Sequence, residues 1–213
     1  MIIEEYKTIF IHIPKNAGTS IRRYFNNLST YHETIYDFKD VFPSEYNSYK
    51  KFAVVRNPYD RMVSWYFYLQ KQAKEWVRFM DPENGTNLAK TLNKEEFDKI
   101  FTDSFIKWVI DPFKYSDTKR QLPGADSPHD ANYDLRLKKL QHEWVDDTVT
   151  ILKYENLNEE INKFFGKKID LPITNSTTHM NYLNYYNKHS LDAVYERCKE
   201  DFRRFNYKRI EKL

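Results

Sequence analysis

A cation, two hydroxyls and a glycine stand together in the run Ile11-His12-Ile13-Pro14-Lys15-Asn16-Ala17-Gly18-Thr19-Ser20. Such a set suits an anion. A turn that leaves a strand and enters a helix gathers several backbone N–H groups into one concavity, and the helix dipole adds positive potential. Lys15 brings a full charge, Thr19 and Ser20 bring hydroxyl donors, and Gly18 lets the backbone come close. Asn16 and Ala17 complete the candidate anion loop. With only 4 glycines in the chain, one at this junction is informative.

A second cation closes the run Lys51–Val55. Arg56 follows it, and Ser64 stands eight residues later, in the second turn of the helix expected there. A guanidinium and a hydroxyl so placed suit a second phosphate. In the Walker A loop the lysine follows the last glycine, whereas Lys15 precedes Gly18. A P-loop kinase also ends a neighbouring strand with an acid that manages Mg²⁺. Arg56 at that place argues for an anion and against a metal, and no metal-ligand spacing is visible. Each residue alone also has an ordinary structural reading: Lys15 on the surface, Arg56 in a cap or ion pair, Ser64 neutral in its helix.

The elements that must position these groups read as alternating strands and helices. Thr8–Ile13, Lys51–Val55 and Thr148–Lys153 are apolar, β-branched strand candidates. Ile21, Tyr24, Phe25 and Leu28 repeat as the stripe of a first helix. Asn57, Pro58 and Asp60 suit the N-cap, N1 and N3 of a second, with Met62, Tyr66 and Leu69 on its apolar face. Asn156 with Glu159 reads as a capping box, and Ser190 as the cap of a last helix bearing Leu191, Val194, Tyr195, Cys198 and Phe202. A helix is expected over Lys94–Ile110 and a long loop over Asp111–Tyr133. The expectation is one α/β domain over 1–213, with a central parallel sheet flanked by helices and 71–147 as a variable acceptor-side insert.

Composition narrows the classes. Apolar residues at 40% place the 213-residue chain among globular proteins. A net charge of +3, with 34 basic and 31 acidic residues interspersed, argues against a nucleic-acid partner. Arg203, Arg204, Lys208, Arg209 and Lys212 read as a solvated face. The single cysteine, Cys198, leaves no internal disulfide and no cysteine zinc site. No apolar run approaches the ~20 residues of a membrane span. The expectation is a soluble, cytoplasmic protein, with a lumenal domain cut from its anchor as the alternative.

Taken together, the two segments Pro14–Ser20 and Val54–Tyr66 (VVRNPYDRMVSWY) resemble sulfotransferases that use 3′-phosphoadenosine 5′-phosphosulfate (PAPS). The likeness is closest to the carbohydrate and heparan-type branch, and it extends weakly to Ile151–Leu157 and Tyr185–Tyr207. It implies a P-loop-like nucleotide-binding fold. Lys15, Asn16, Ala17, Gly18, Thr19 and Ser20 then hold the 5′-phosphosulfate, and Arg56 and Ser64 hold the 3′-phosphate. The product is adenosine 3′,5′-bisphosphate (PAP), no metal is needed, and the acceptor is a small-molecule or glycan hydroxyl.

The resemblance implies Lys15 as the catalytic cation, which would stabilise charge on the bridging oxygen and the departing 5′-phosphate. His32 is the first choice of base, since its ordinary pKa suits the task, with Glu33 as runner-up. His12, within the strand run, reads as structural, and His179 belongs to a polar loop. Trp76, Phe79, Trp108, Phe113 and Tyr115 suit either sugar stacking or the core. Two rival readings remain: a P-loop small-molecule kinase, and a non-catalytic nucleotide- or glycan-binding module on the same fold.

Overall fold

The computed structural model describes residues 1–26, 32–79, 105–110, 139–172 and 180–213, with the backbone alone described over 69–79. The chain divides into two compact units. The first comprises Met1–Pro58, Asn132–Ser176 and Cys198–Arg209; the second comprises Tyr59–Ala131, Thr177–Arg197 and Ile210–Leu213.

The first unit carries a four-stranded sheet in the order β1 (Ile2–Ile3), β2 (Thr8–Ile11), β3 (Lys50–Val55), β4 (Thr150–Lys153). β1 runs antiparallel to β2, pairing Ile2 with Ile9. The rest is parallel, with Phe10 opposite Phe52 and Ala53 opposite Ile151. Parallel neighbours need long crossovers, and helices supply them. In chain order the α-helices of the described residues are α1 (Gly18–Tyr24), α2 (Ile35–Val41) and α3 (Pro43–Ser48) between β2 and β3, α4 (Pro58–Phe79) and α5 (Phe105–Ile110) between β3 and β4, and α6 (Leu157–Phe165), α7 (Lys188–Arg197) and α8 (Lys199–Arg204) after β4. The architecture is the expected α/β one, a mostly parallel sheet flanked by helices.

The central strands are buried on both faces, which is why they read as unbroken apolar runs. Their period of two sends alternate residues into separate cores. Ile9, Ile11, Ala53 and Val55 pack with Trp144, Val145 and Phe205; Phe10, Phe52 and Val54 pack with Ile21, Ile161 and Ile169.

Strand ends differ from the sequence reading for local reasons. β2 stops at Ile11 because Ile13 N–H turns back to the Ile11 carbonyl at 3.1 Å. β4 starts at Thr150, since Asp146 Oδ1 accepts from Thr148 N and Oγ1 (2.8 and 2.6 Å) and holds a turn there. β1 is too short for any sequence pattern. Asn156 stands at the N-cap of α6 but makes no side-chain cap bond; Glu160 instead accepts from Lys153 N–H at 2.5 Å. Ser190 is the third residue of α7 and not its cap. Asn187 is the cap: its Oδ1 accepts from Ser190 N (2.9 Å), and Ser190 Oγ accepts from Asn187 N (3.0 Å). The single last helix expected is two, broken at Cys198.

In the second unit, Met62, Val63, Trp65 and Tyr66 are buried along α4. Trp108 of α5 meets Trp65 edge-on with centroids 5.4 Å apart, and is 4% exposed. It is a core residue and offers no platform for a sugar. Arg197 caps α5, donating to the carbonyls of Val109 (2.8 Å) and Ile110 (2.6 Å). Leu28, His179, Phe113, Tyr115, the side chains of Leu69, Trp76 and Phe79, the helix expected before Phe105 and the loop over 111–133 lie outside the described residues.

Candidate active site

The first strand-to-helix junction is a loop of unusual handedness. Lys15 (φ 71°) and Ala17 (φ 60°, ψ 13°) both take the left-handed conformation, and α1 opens at Gly18. Changes of hand along a loop turn its N–H groups toward one concavity. A non-glycine residue held there costs about 1–3 kcal/mol, so its surroundings must enforce it. Asn16, 1% exposed, does so: its Nδ2 donates to the Val54 carbonyl at 2.8 Å and to Gln141 Oε1 at 2.7 Å. The Asn16 side chain therefore faces the fold, which leaves only its backbone for an anion. Lys15, Thr19 and Ser20 are half-buried.

Gly18 has a reason the sequence did not suggest. A Cβ built on it would lie 1.7 Å from His12 Nε2, so the His12 imidazole occupies the space of a side chain.

The second junction brings Arg56 to the first. Arg56 is 7% exposed, its guanidinium lies 4.1 Å from the Tyr154 ring centroid, and Nη1 donates to the Lys15 carbonyl at 3.3 Å. Its peptide is fixed as well, by Gln141. Asn57 N–H donates to Glu155 Oε1 at 2.7 Å, whose other oxygen accepts from Tyr207 Oη at 2.9 Å. Burial, then the charge and hydrogen bond of Glu155, push the Tyr207 hydroxyl upward in pKa, so it stays a donor. Helix α4 opens at Pro58, as its residue type suggests. Ser64, 8% exposed, belongs to the second unit, and Arg56 to the first.

His32 Nδ1 lies 3.1 Å from the His12 carbonyl. A carbonyl only accepts, so Nδ1 carries the proton and the lone pair of the neutral ring resides on Nε2. The His12 and His32 rings stand 4.1 Å apart, and Trp144 meets His32 edge-on at 6.5 Å. Burial first, with the neighbouring basic groups adding to it, holds His12 well below the usual histidine range. His12 is thus a neutral packing group. Just beyond Glu33, Thr34 and Asp37 form a reciprocal cap on α2 (Thr34 N to Asp37 Oδ2, 2.7 Å), which anchors the segment carrying His32.

Gln141, Asp201 and Tyr154 were not singled out from the sequence. Gln141 lies 125 residues from Asn16 and 60 from Asp201, so no local spacing announces it. For Tyr154 the signal was present: it follows β4 directly, as Arg56 follows β3. Among the described residues no group of three His, Cys, Asp or Glu is placed to hold a metal ion, and no helix is long and apolar enough to cross a membrane.

A mostly parallel sheet with a cationic strand-to-helix loop beside an arginine-terminated strand is an α/β architecture of the P-loop-like kind. A family model described as the Sulfotransferase family matches residues 1–208, and the chain belongs to that family. Comparison with curated proteins and with solved structures finds no significant match.

Proposed function

We propose that the protein transfers a sulfuryl group from PAPS to a hydroxyl, with a carbohydrate as the acceptor. The observation that carries the reading is the meeting of two cationic junctions, Arg56 Nη1 on the Lys15 carbonyl at 3.3 Å. A donor with phosphates at both its 3′ and 5′ positions needs two such points. The residues fit an anion: two cations, the hydroxyls of Thr19 and Ser20, and loop amides turned by two left-handed residues. The carbohydrate acceptor rests on the likeness of both motifs to that branch, and the segment 71–147 is the proposed acceptor side.

PAPS supplies an activated sulfuryl group whose leaving partner is a phosphate. Lys15 and the loop amides bind that phosphate and neutralise the charge that grows on it. Arg56 binds the 3′-phosphate and is stiffened by its stacking on Tyr154. His32 Nε2 takes the proton of the acceptor hydroxyl while Nδ1–H stays on the His12 carbonyl, so the ring keeps its orientation as it becomes charged. No proton needs to pass through His12, which burial keeps neutral.

Calorimetry with PAP against ADP, each without Mg²⁺, tests the donor. PAP should bind at least ~10-fold tighter, about 1.4 kcal/mol. Equal affinity, or dependence on Mg²⁺, counts against the reading. In the same assay His32→Ala should keep its PAP affinity while losing most turnover; unchanged turnover removes His32 as the base.

A further inference from the structure

Beneath both junctions lies one side-chain amide. Gln141 begins the short 3-10 turn Gln141–Trp144 and is fully buried. Its Oε1 accepts from Arg56 N–H at 2.9 Å and from Asn16 Nδ2 at 2.7 Å. Its Nε2 donates to the Arg56 carbonyl at 2.9 Å and faces Asp201 Oδ2 at 3.4 Å. Chemistry fixes the orientation of the amide. The Arg56 N–H can only donate and the Arg56 carbonyl can only accept, so oxygen and nitrogen cannot be exchanged. Where β3 has run out of partners, Gln141 takes the place of a neighbouring strand, and Asn16 does the same for the Val54 carbonyl.

Gln141 is itself anchored. Asp201, on α8, is fully buried, and its carboxylate accepts from Gln141 N at 2.9 Å, His142 N at 2.8 Å and His142 Nδ1 at 2.8 Å. A buried carboxylate survives only when so supplied with donors. Asp201 therefore pins the 3-10 turn, the turn pins Gln141, and Gln141 pins Asn16 and Arg56 at once.

We infer that Gln141, anchored by Asp201, is a positioning residue for the donor. It sets the spacing between the loop Lys15–Ser20 and the arginine that follows β3, and with it the discrimination for a 3′-phosphate. This rests on the PAPS reading above. A two-point grip tells PAP from ADP only if the two points keep their separation. When the spacing drifts, contacts to the 5′ side, which both nucleotides share, persist, and the 3′ contact is lost.

Gln141→Glu tests the inference with almost no change in volume. An ionised glutamate still accepts from Arg56 N–H and Asn16, but it presents an acceptor to the Arg56 carbonyl and to Asp201. The protonated acid restores the donor. At about pH 8 the ratio of PAP to ADP affinity should fall ~10-fold or more from the wild-type value. It should recover as the pH is lowered toward ~5, because burial beside Asp201 raises the pKa of the introduced acid. Asp201→Asn, a second variant that keeps shape and removes the anchoring charge, should lower the same ratio by less.

A purely structural role would lower the melting temperature and weaken PAP and ADP alike. A folded variant of either kind with the wild-type ratio therefore overturns the positioning role. Wild-type protein that binds PAP no tighter than ADP overturns the donor reading, and the inference with it.

Discussion

The chain makes the same passage twice, from strand into helix, by opposite means. After β2 it uses a loop with two left-handed residues, Lys15 and Ala17, and then the short helix Gly18–Tyr24. After β3 it uses Asn57 and Pro58, with no left-handed residue, and then the long helix Pro58–Phe79. The first junction holds two residues in a strained left-handed backbone, which on the proposed reading turns its amides toward the anion. The second keeps an ordinary backbone and presents one buried side chain, Arg56. An anion seat made of backbone has to be shaped by its neighbours, whereas one made of a guanidinium only has to be aimed.

The sharpest way to break this contrast is to remove the two cations separately. Lys15→Ala should lower kcat by ~10²-fold or more, the scale for losing one charge-stabilising donor in the transition state. Arg56→Ala should act mainly on donor affinity, removing the preference for PAP over ADP while leaving a larger share of kcat. If both variants show the same split between kcat and KM, the junctions do not have distinct roles. The comparison is read from steady-state kinetics together with calorimetry.

A smaller effect tests the shape of the first junction. Gly18→Ala places a methyl where the His12 imidazole lies, a clash with a buried ring that has little room to retreat. Overpacking of this kind costs about 1–3 kcal/mol. Denaturant unfolding should show that loss, and His12→Ala introduced with it should relieve part of the penalty. Additive effects in the double variant would mean that the ring and the glycine do not press on one another.

The smallest effect concerns the anchor. Donation from His142 to the Asp201 carboxylate, the largest cause, raises the His142 pKa, with partial burial opposing and Glu143 and Glu200 adding to it. A raised folded-state pKa gives stability that is fully present below the unfolded value, about 6.5, and is lost as the pH climbs through the folded one. His142→Asn should therefore cost more melting temperature near pH 5.5 than near pH 8. A gap of constant size across that range would show that charge on His142 adds nothing. The neighbouring group Asp147, exposed and paired with Arg204 at 2.9 Å, is the control site for a surface charge.

The sequence carries the scaffold more openly than it carries the site. The runs Ile9–Ile11 and Phe52–Val55 announce buried strands because both faces of each are covered, so every position must be apolar. Lys15, Gly18 and Arg56 are legible because their types are conspicuous at strand ends. What holds them is not. Asn16 reads as one more loop amide until its side chain is seen inside the fold. Gln141 lies within the segment 71–147, where periodicity is weakest, and Asp201 sits in a helix turn where an acid looks ordinary. Caps were legible unevenly: Ser190 is paired correctly with its helix but stands three positions from the true cap at Asn187, whereas Asn156 stands at its N-cap position without the cap bond.

The reach of the Asp201 contacts bears on the order in which the molecule is made. Parallel strands far apart in sequence fold slowly, because the chain must close long loops before any contact rewards it. Val55 pairs with Lys153, so β3 waits for β4. The anchor waits longer, since Gln141 and His142 acquire their carboxylate only when residue 201 arrives. Synthesis runs from the amino terminus, so a nascent chain holds Lys15, Arg56, Gln141 and all four strands before it holds the carboxylate that anchors Gln141. On the proposed reading, the preference for a 3′-phosphate is therefore acquired late in synthesis, and ribosome-bound chains stopped before and after residue 201 would differ in it.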